Sequence, residues 1–549
     1  MSRRLVALLL ALACFGCGGR EPRIASTRSS FDGSPQDGGT LVRRLEADVS
    51  SLNPILASSR YDRYVAQYLF TPLIHLDRNL TPVPGLAKAW KVSDDGLLFR
   101  FELDERATFS DGNPVRAADV LFTLQKIVDP GSEAIQIAPG FELLDQARTR
   151  AIDDRTIEVA FRTARAGQLT YFNNLLVLPA HVYSEGDFRD DFRVRAVGSG
   201  PYTLAKRTAG VEVVLERRAD YWTDKPHIQT VVMRVVSDQN TAWNALRTGE
   251  IDETVLAPDL WLRERNNPAL SETIEFRRFY TRNYNYIAWN QRHPPLADPR
   301  VRRALAMCIP IEAIVRDLYH GTARAMSGPF TPDEWAFNPS VPVIRHDLAG
   351  AARLLATAGW TDVDGDGIVE RDGQPLNLEL MIMSGSTTGR RFAEMLQGEM
   401  KQAGVALEIS VVDGTAAIDR IVAGNYQAAY LSWDLDPDPD VFPLFHSTQT
   451  PPRGSNVVRY SNPEADRLME QGRSEMSQAK RKEIYWRLHE VLAADQPYAW
   501  TAQVSLKWGI NKRVRGVAES SGFGLFLWYP GELAWWIAPA GRELDRTSP

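Results

Sequence analysis

The chain contains the stretch Pro84-Gly-Leu-Ala-Lys-Ala-Trp90, followed by Ser93-Asp-Asp-Gly96 and by Phe109-Ser-Asp-Gly-Asn-Pro114. Asp-Gly and proline-containing segments form turns, because glycine accepts a positive φ and proline presets its own φ. We therefore interpret the three motifs as tight turns within one folded region.

Outward from these motifs, short strand-like runs alternate with helical stretches. Thr40–Leu45 and Val211–Leu215 have strand character, and Pro299–Ala306 has helical character. Residues 464–494 carry apolar residues at helical spacing, in two helices broken near Met476. No repeat of 20 to 50 residues is visible. This alternation predicts an α/β protein.

The composition is that of a folded globular protein with several domains. The chain has 549 residues, of which 44% are hydrophobic and 24% charged, which suits about three or four domains or sub-lobes. Lys and Arg number 63 against 69 Asp and Glu, a formal net charge of -6. Because this charge gives the protein no broad cationic surface, we do not expect nucleic acid as a partner.

The N-terminus has the pattern of a signal peptide. Arg3 and Arg4 precede the apolar run Leu5–Phe15, whose eleven residues are too few to span a bilayer but suit a signal-peptide core. The segment 1–17 resembles a bacterial lipoprotein signal peptide, in which the sulfur of Cys17 would be acylated. Cys14 is the rival acceptor, and ordinary cleavage to a soluble form is the remaining alternative.

Residues 18–39 contain few apolar residues and many Gly, Ser, Asp and Arg, which predicts a flexible tether. No other apolar run reaches the roughly 18 residues of a membrane-spanning helix. Cys308 is the only cysteine after the leader, so no disulfide framework is expected.

Catalytic motifs are incomplete. His489-Glu490 begins like a zinc-protease motif, but Ala493 stands where the second histidine is required. No G-x-S-x-G elbow or Walker phosphate loop occurs, and Gly198–Pro201 has too few spaced glycines for a dinucleotide site. We expect neither an enzyme nor a cofactor.

One acidic segment matches the first half of a calcium loop. Asp362, Asp364 and Asp366 alternate, as ligands of Ca²⁺ do, but Gly373 occupies the position of the bidentate glutamate and Glu370 falls at position nine. We therefore favour a Gly/Asp turn over a metal site.

Taken together, the motifs resemble the family 5 solute-binding proteins of bacterial ABC importers, which include dipeptide- and oligopeptide-binding proteins. The opening motifs, with Ala118-Asp-Val120 after them, look like the signature of the family's small N-terminal subdomain. The similarity continues, in order, through Gly198–Tyr202, Asp220–Trp222, Gly249–Asp252, Pro294–Ala304, Ala358–Trp360 and Tyr460–Asp466.

The resemblance implies an α/β two-lobed periplasmic binding protein fold of type II, in the cluster with an extra subdomain. Two crossover strands, expected in Tyr284–Asn290 and Trp500–Asn511, would join the lobes around a ligand cleft. The expected parts are lobe I, residues 40–54, 195–284 and 510–545; subdomain Ib, residues 55–194; and lobe II, residues 285–509.

Ser432-Trp-Asp-Leu-Asp-Pro-Asp-Pro-Asp440 is the most charged local feature of the chain. In peptide-binding members of the family, a Trp is followed three positions later by an Asp that pairs with the peptide's α-ammonium group. Trp433 and Asp436 keep that spacing, so the resemblance implies that they bind ligand. The alternative is a rigid acidic turn that only shapes the cleft.

The expected function is therefore peptide transport by a periplasmic lipoprotein that acts as the solute-binding protein of an ABC transporter. Its expected partners are a peptide or similar small solute and the permease and ATPase subunits of the importer, and the protein itself is expected to be a monomer. It would reside in the periplasm or on the outer face of the cytoplasmic membrane. Alternatives are an oligosaccharide or metal chelate as ligand, or a periplasmic hydrolase or chaperone.

Lipid attachment should depend on Cys17. We expect Cys17→Ser to abolish palmitate labelling in cells, because the acylated sulfur is lost, while Cys14→Ser keeps the label. The opposite pattern would make Cys14 the acceptor. A wild-type chain without label would indicate ordinary cleavage to a soluble form.

Overall fold

The computed structural model describes residues 34–57, 59–134, 136–185, 196–520 and 522–538. The chain divides into two compact units, Met1–Ser34 and Pro35–Pro549, and the elements below belong to the second. The predicted leader, with Cys14 and Cys17, lies outside the described residues. The end of the predicted tether already contacts the body, since Asp37 pairs with Arg217 at 3.3 Å and with His227 at 2.9 Å. No described helix is long and apolar enough to cross a membrane.

A seven-stranded mixed sheet contains the first strand of the chain, Thr40–Leu45. This strand is parallel to both of its neighbours, and the other pairings are antiparallel. The strands in spatial order are Ile274–Phe279, Leu506–Asn511, Glu253–Val255, Thr40–Leu45, Thr230–Val235, Glu212–Arg217 and Tyr202–Thr208. Its longer helices are Arg60–Leu69, Gln239–Thr248 and Pro258–Glu264.

The motifs of residues 84–114 lie within or next to a smaller antiparallel sheet. Its strands are Ala87–Val92, Leu98–Leu103, Thr156–Ala160 and Arg150–Ala151, with the helix Ala117–Val128 alongside. The turn prediction is confirmed for two motifs: Gly96 has a φ of 68° and donates its N–H to Ser93, and Gly112 has a φ of 86° and donates to Phe109. In the third motif, Pro84–Trp90, the last four residues are part of the strand Ala87–Val92, because they pair with the next strand of the sheet.

A six-stranded mixed sheet forms the C-terminal half of the described chain. In spatial order its strands are Ala323–Ala325, Tyr498–Val504, Asn283–Trp289, Ala428–Asp434, Asn377–Met383 and Ala406–Val412. Asn377–Met383 is parallel to both of its neighbours. The longer helices are Pro299–Met307, Leu348–Thr357, Thr387–Gln402, Gly414–Ala423, Pro463–Ser474 and Gln478–Asp495. The last two confirm the predicted break near Met476.

Short elements complete the described fold. Three two-stranded sheets pair Ile74–Leu76 with Pro82–Pro84, Glu370–Arg371 with Gln374–Pro375, and Val514–Arg515 with Trp536–Ile537. Short helical turns are Pro130–Ser132, Ala138–Phe141, Gln168–Tyr171, Ala180–Tyr183, Pro268–Leu270, Pro294–Ala297, Ile311–Ala313, Ile314–Leu318, Phe442–Phe445 and Gly531–Ala534.

The chain passes twice between the two large sheets. It leaves the seven-stranded sheet after Phe279 and enters the six-stranded sheet at Asn283. It returns between Val504 and Leu506, with Ser505 alone between the two strands. Both passages fall within or next to the segments expected to cross over, and the residue boundaries of the lobes stay a prediction.

The acidic segment after helix Leu348–Thr357 forms the turn that its glycines predict. Asp362 accepts the N–H groups of Gly365 at 2.8 Å and Gly367 at 3.2 Å. Its carboxylate and those of Asp364, Asp366 and Glu370 have oxygen atoms within 4.8 Å of one another. The turn is present, and the expected absence of a metal ion stays a prediction.

The region of the four-stranded sheet makes close contact with the acidic segment Asp434–Asp440. Ala166 donates its N–H to the carbonyl oxygen of Arg473 at 2.8 Å. A Cβ atom at the next residue, Gly167, would lie 2.4 Å from Cγ of Asp438. Only a glycine allows this approach of the backbone to the carboxylate.

We therefore expect Gly167→Ala to lower the free energy of unfolding by about 1–3 kcal/mol, because the added methyl group overpacks the contact with Asp438. Urea denaturation measures the change. The matched control is Gly398→Ala in helix Thr387–Gln402, where an added Cβ meets no atom within 4 Å. The control should be neutral or stabilising, and equal stabilities of the two variants would contradict the contact.

Candidate functional site

The acidic loop leaves the six-stranded sheet where the strand Ala428–Asp434 ends. Pro437 and Pro439 lack backbone N–H donors, so the loop cannot continue as a regular helix. Its start is held by a hydrogen bond from the N–H of Leu435 to the carbonyl oxygen of Arg282, at 2.7 Å. Arg282 lies in the passage between the two large sheets, so this bond attaches the loop to that passage.

Two of the loop's carboxylates hold the loop in place. Buried Asp438 accepts two hydrogen bonds from Arg481, at 2.8 and 2.7 Å. The Asp440 carboxylate lies 2.9 Å from Arg473 and accepts the N–H of Phe442 at 3.1 Å. Both arginines belong to the last two long helices, so these two acids fasten the loop to the helices.

Asp436 differs from those two acids. Among the described residues it makes no hydrogen bond or ion pair, and solvent reaches its side chain. The protein around it nevertheless desolvates the carboxyl group and raises its pKa, against the attraction of Arg282 and with repulsion from Asp438. The carboxylate can thus be reached from solvent, although nearby protein atoms partly displace the water around it.

Three arginines from separate parts of the chain act on the Asp436 carboxylate, namely Arg282, Arg63 and Arg165. Arg282 and Arg165 are buried and each is paired, with Glu334 at 3.1 Å and with Glu142 at 2.8 Å. Arg63 is exposed on the helix Arg60–Leu69. Asp436 is therefore near residues from three parts of the fold, namely the regions of the two large sheets and of the small sheet.

Trp433 is held in one orientation by an aromatic stack. Its ring lies parallel to that of Tyr286, with centroids 6.2 Å apart and an interplanar angle of 8°. Tyr286 stacks in turn on Tyr498 at 4.0 Å, and the indole Nε1 of Trp433 donates to the Tyr498 hydroxyl at 3.4 Å. The half-buried indole is thus a rigid wall at the end of its strand.

A cavity of about 610 Å³ opens beside Trp433. Ile382 and Met383 reach it from the end of strand Asn377–Met383, which runs parallel to the strand that carries Trp433. Ligands of open α/β sheets bind outside the carboxyl ends of parallel strands, and this cavity lies at those ends. No sequence motif indicated this cavity, because it depends on which two strands lie side by side.

The polar side chains in the wall of this cavity bond to one another. Asn285 donates from Nδ2 to the hydroxyl groups of Tyr319 at 2.9 Å and Tyr430 at 3.1 Å. The two hydroxyl groups lie 3.1 Å apart, and burial raises the pKa of Tyr319. These phenols stay neutral and help to fix the shape of the wall.

The groups considered for catalysis are packed in the protein interior. His489 accepts the N–H of Asn338 at 3.1 Å, and burial lowers the pKa of its imidazole to about 4. Burial raises the pKa of the Cys308 thiol to about 12, so no reactive thiolate forms at neutral pH. Within the described ranges, the grouping of acidic side chains close enough to hold a metal does not include Asp436.

Comparison with known proteins places the chain in a family. Residues 81–454 match the model of the "Bacterial extracellular solute-binding proteins, family 5 Middle". The chain is 27% identical over 521 residues to the oligopeptide-binding protein AppA of Bacillus subtilis, covering 91% of this chain and 94% of that protein.

Two solved structures share the fold. The structure of AppA from Bacillus subtilis in complex with a nonapeptide has a TM-score of 0.76 at 24% identity, covering 92% of this chain and 100% of that chain. The structure of NikA from Brucella suis in complex with Fe(III)-EDTA has a TM-score of 0.79 at 21% identity, covering 90% and 99%. These likenesses confirm the predicted two-lobed α/β fold.

The family model spans well over half of the chain, and the described sheets and their two connecting passages have the architecture that the motifs predicted. The protein belongs to family 5 of the bacterial extracellular solute-binding proteins.

Proposed function

We propose that the protein captures di- or oligopeptides outside the cytoplasm and delivers them to the permease of an ABC importer. The observation that carries this proposal is Asp436, an exposed carboxylate that the surrounding protein partly desolvates and that has no hydrogen-bonding partner among the described residues. Its neighbours Asp438 and Asp440 are already neutralised by arginines. An incoming α-ammonium group would supply the missing partner.

The charge balance around Asp436 suits a ligand cation. Desolvation raises the pKa of this carboxyl group above its usual value, and a bound ammonium group favours the ionised form and lowers that pKa again. Affinity for a cationic ligand should therefore be complete above the raised pKa and fall as the pH decreases through it.

The remaining features suit a peptide bound in an extended conformation. Main-chain hydrogen bonds can hold such a ligand without reading its side chains, and one charge pair fixes its end. The indole of Trp433 would form one wall of the site and shield the charge pair from water. Closure of the two lobes around the ligand is the hinge motion that the importer's membrane subunits would sense.

The proposal extends to the setting of the protein. It acts as a monomer that catalyses no reaction, attached by a lipid at Cys17 to the outer face of a membrane. Its partners are the permease and the ATPase subunits of the importer. The similarity to an oligopeptide-binding protein, AppA, supports a peptide as the ligand. The complex of NikA with Fe(III)-EDTA makes a metal chelate the next candidate.

Native mass spectrometry of the purified protein with a mixture of peptides tests this function. We expect bound, intact peptides, because the site offers a charge anchor and no described catalytic group. Cleaved peptides would indicate a hydrolase. Binding of a metal chelate or an oligosaccharide in a parallel mixture, with no peptide bound, would replace peptides as the ligand.

Asp436→Asn should weaken binding of a free-amine peptide by about 2 to 5 kcal/mol, because the substitution leaves the ammonium group of the bound peptide buried without a charged partner. This loss corresponds to about 30- to 5,000-fold in affinity by calorimetry. The matched control is Asp434→Asn, which alters an exposed acid at the last position of the preceding strand and should change the affinity little. N-terminal acetylation of the peptide should abolish the difference between wild type and Asp436→Asn. If neither acetylation nor the substitution changes the affinity, the anchor lies elsewhere.

A further inference from the structure

The cavity beside Trp433 has no charged side chain in its wall. Twenty described residues line it, and none is Asp, Glu, Lys, Arg or His. Four aromatic rings form one part of the wall, and Ile, Leu, Val, Met and Pro side chains form much of the rest, with one asparagine and four Ser or Thr residues among them. A cavity of about 150 Å³ already holds a benzene ring, so about 610 Å³ leaves room for a large side chain and its backbone.

Part of this wall exposes aliphatic surface to solvent. Ile418 is 48% exposed and Val422 is 46% exposed, and both line the cavity. They lie four residues apart on the helix Gly414–Ala423, so they share one face. Large aliphatic side chains left open to water at a concave surface are typical of a ligand contact.

The wall offers no cation to an anionic group. The side-chain amide of Asn285 is used by the hydroxyl groups of Tyr319 and Tyr430. The helix Thr387–Gln402 begins at the cavity, but Gly389 donates its N–H to Ser386 Oγ at 3.0 Å and caps that end. A carboxylate placed here would lose its hydration without gaining a cation, which is unfavourable.

The cavity shares Trp433 with the charged part of the site. Trp433 lines the cavity and stands three residues before Asp436, which lies in the loop just after the same strand. A ligand whose ammonium group pairs with Asp436 would therefore lie beside the cavity with its following residues. We propose that this cavity selects an uncharged, apolar side chain of the bound peptide and rejects an acidic one; this rests on the proposed function.

A positional scan of peptides tests the selection. The probes are five-residue alanine peptides with free N-termini, in which phenylalanine or glutamate replaces each later alanine in turn. We expect one position at which phenylalanine binds at least about tenfold tighter than glutamate, measured by calorimetry. Equal affinities for phenylalanine and glutamate at every position would overturn the proposal while leaving peptide binding intact.

A pair of matched variants assigns the effect to this cavity. Ile418→Arg places a cation on the exposed part of the wall, so at the selective position it should weaken the phenylalanine peptide and strengthen the glutamate peptide. Together these changes should shift the preference by at least about tenfold. The control Val411→Arg alters a 44% exposed aliphatic residue that does not line the cavity, and it should keep the wild-type preference.

The outcomes separate this inference from the function on which it rests. A preference that neither variant shifts, or that both variants shift equally, would place the selecting surface elsewhere and overturn the inference. If no peptide of the series binds to the wild type, the proposed function fails and this inference fails with it. Binding without discrimination removes the inference alone.

Discussion

The buried ion pair between Asp438 and Arg481 is the interaction on which the site depends. Two hydrogen bonds join the two side chains, and the guanidinium group also donates to the carbonyl oxygen of Gly472 at 2.8 Å and to the Tyr485 hydroxyl at 3.2 Å. Removing either partner of such a pair leaves an uncompensated buried charge, which costs about 3–5 kcal/mol. The pair therefore holds an acidic loop where repulsion between its carboxylates would otherwise favour another conformation.

This anchoring gives the carboxylates of one short segment different roles. Asp438 and Asp440 form ion pairs with arginines of the last two long helices and so have a structural role. Asp436 makes no ion pair with those helices' arginines, and the arginines that act on its carboxyl group come from distant parts of the chain. Two of these three arginines are paired with glutamates, so they attract the Asp436 carboxylate without forming an ion pair with it. The Asp436 carboxylate is left without a hydrogen-bonding partner among the described residues.

Trp433 lines the cavity and lies just before the acidic loop. The loop supplies carboxylates, whereas the cavity is lined by uncharged side chains. The stack of Trp433, Tyr286 and Tyr498 fixes the position of the indole. In the proposed complex, the loop would orient the ligand through its charge, and the cavity would select its side chain.

Much of the fold could be predicted from local sequence. Turn motifs such as Ser93–Gly96, the strand Thr40–Leu45 and the paired helices of residues 463–495 depend on residue types at fixed spacing, which a sequence displays directly. The ordered series of motifs then identified the family, since such a series reflects a whole fold. Trp433 and Asp436 were also predicted as ligand-binding residues, by resemblance, and their contact with a ligand stays a prediction.

Local sequence could not predict which carboxylates of the acidic loop form ion pairs and which one does not. Asp436 and Asp438 are chemically identical and two residues apart, and only the position of Arg481, 43 residues further along the chain, decides which one is neutralised. The cavity likewise joins side chains from Asn285 to Val457, which become neighbours only through strand pairing. Sequence by itself determined which elements form and which family they build. Tertiary structure decided which charge stays available and which surface stays apolar, because electrostatic and packing energies depend on distances in space rather than along the chain.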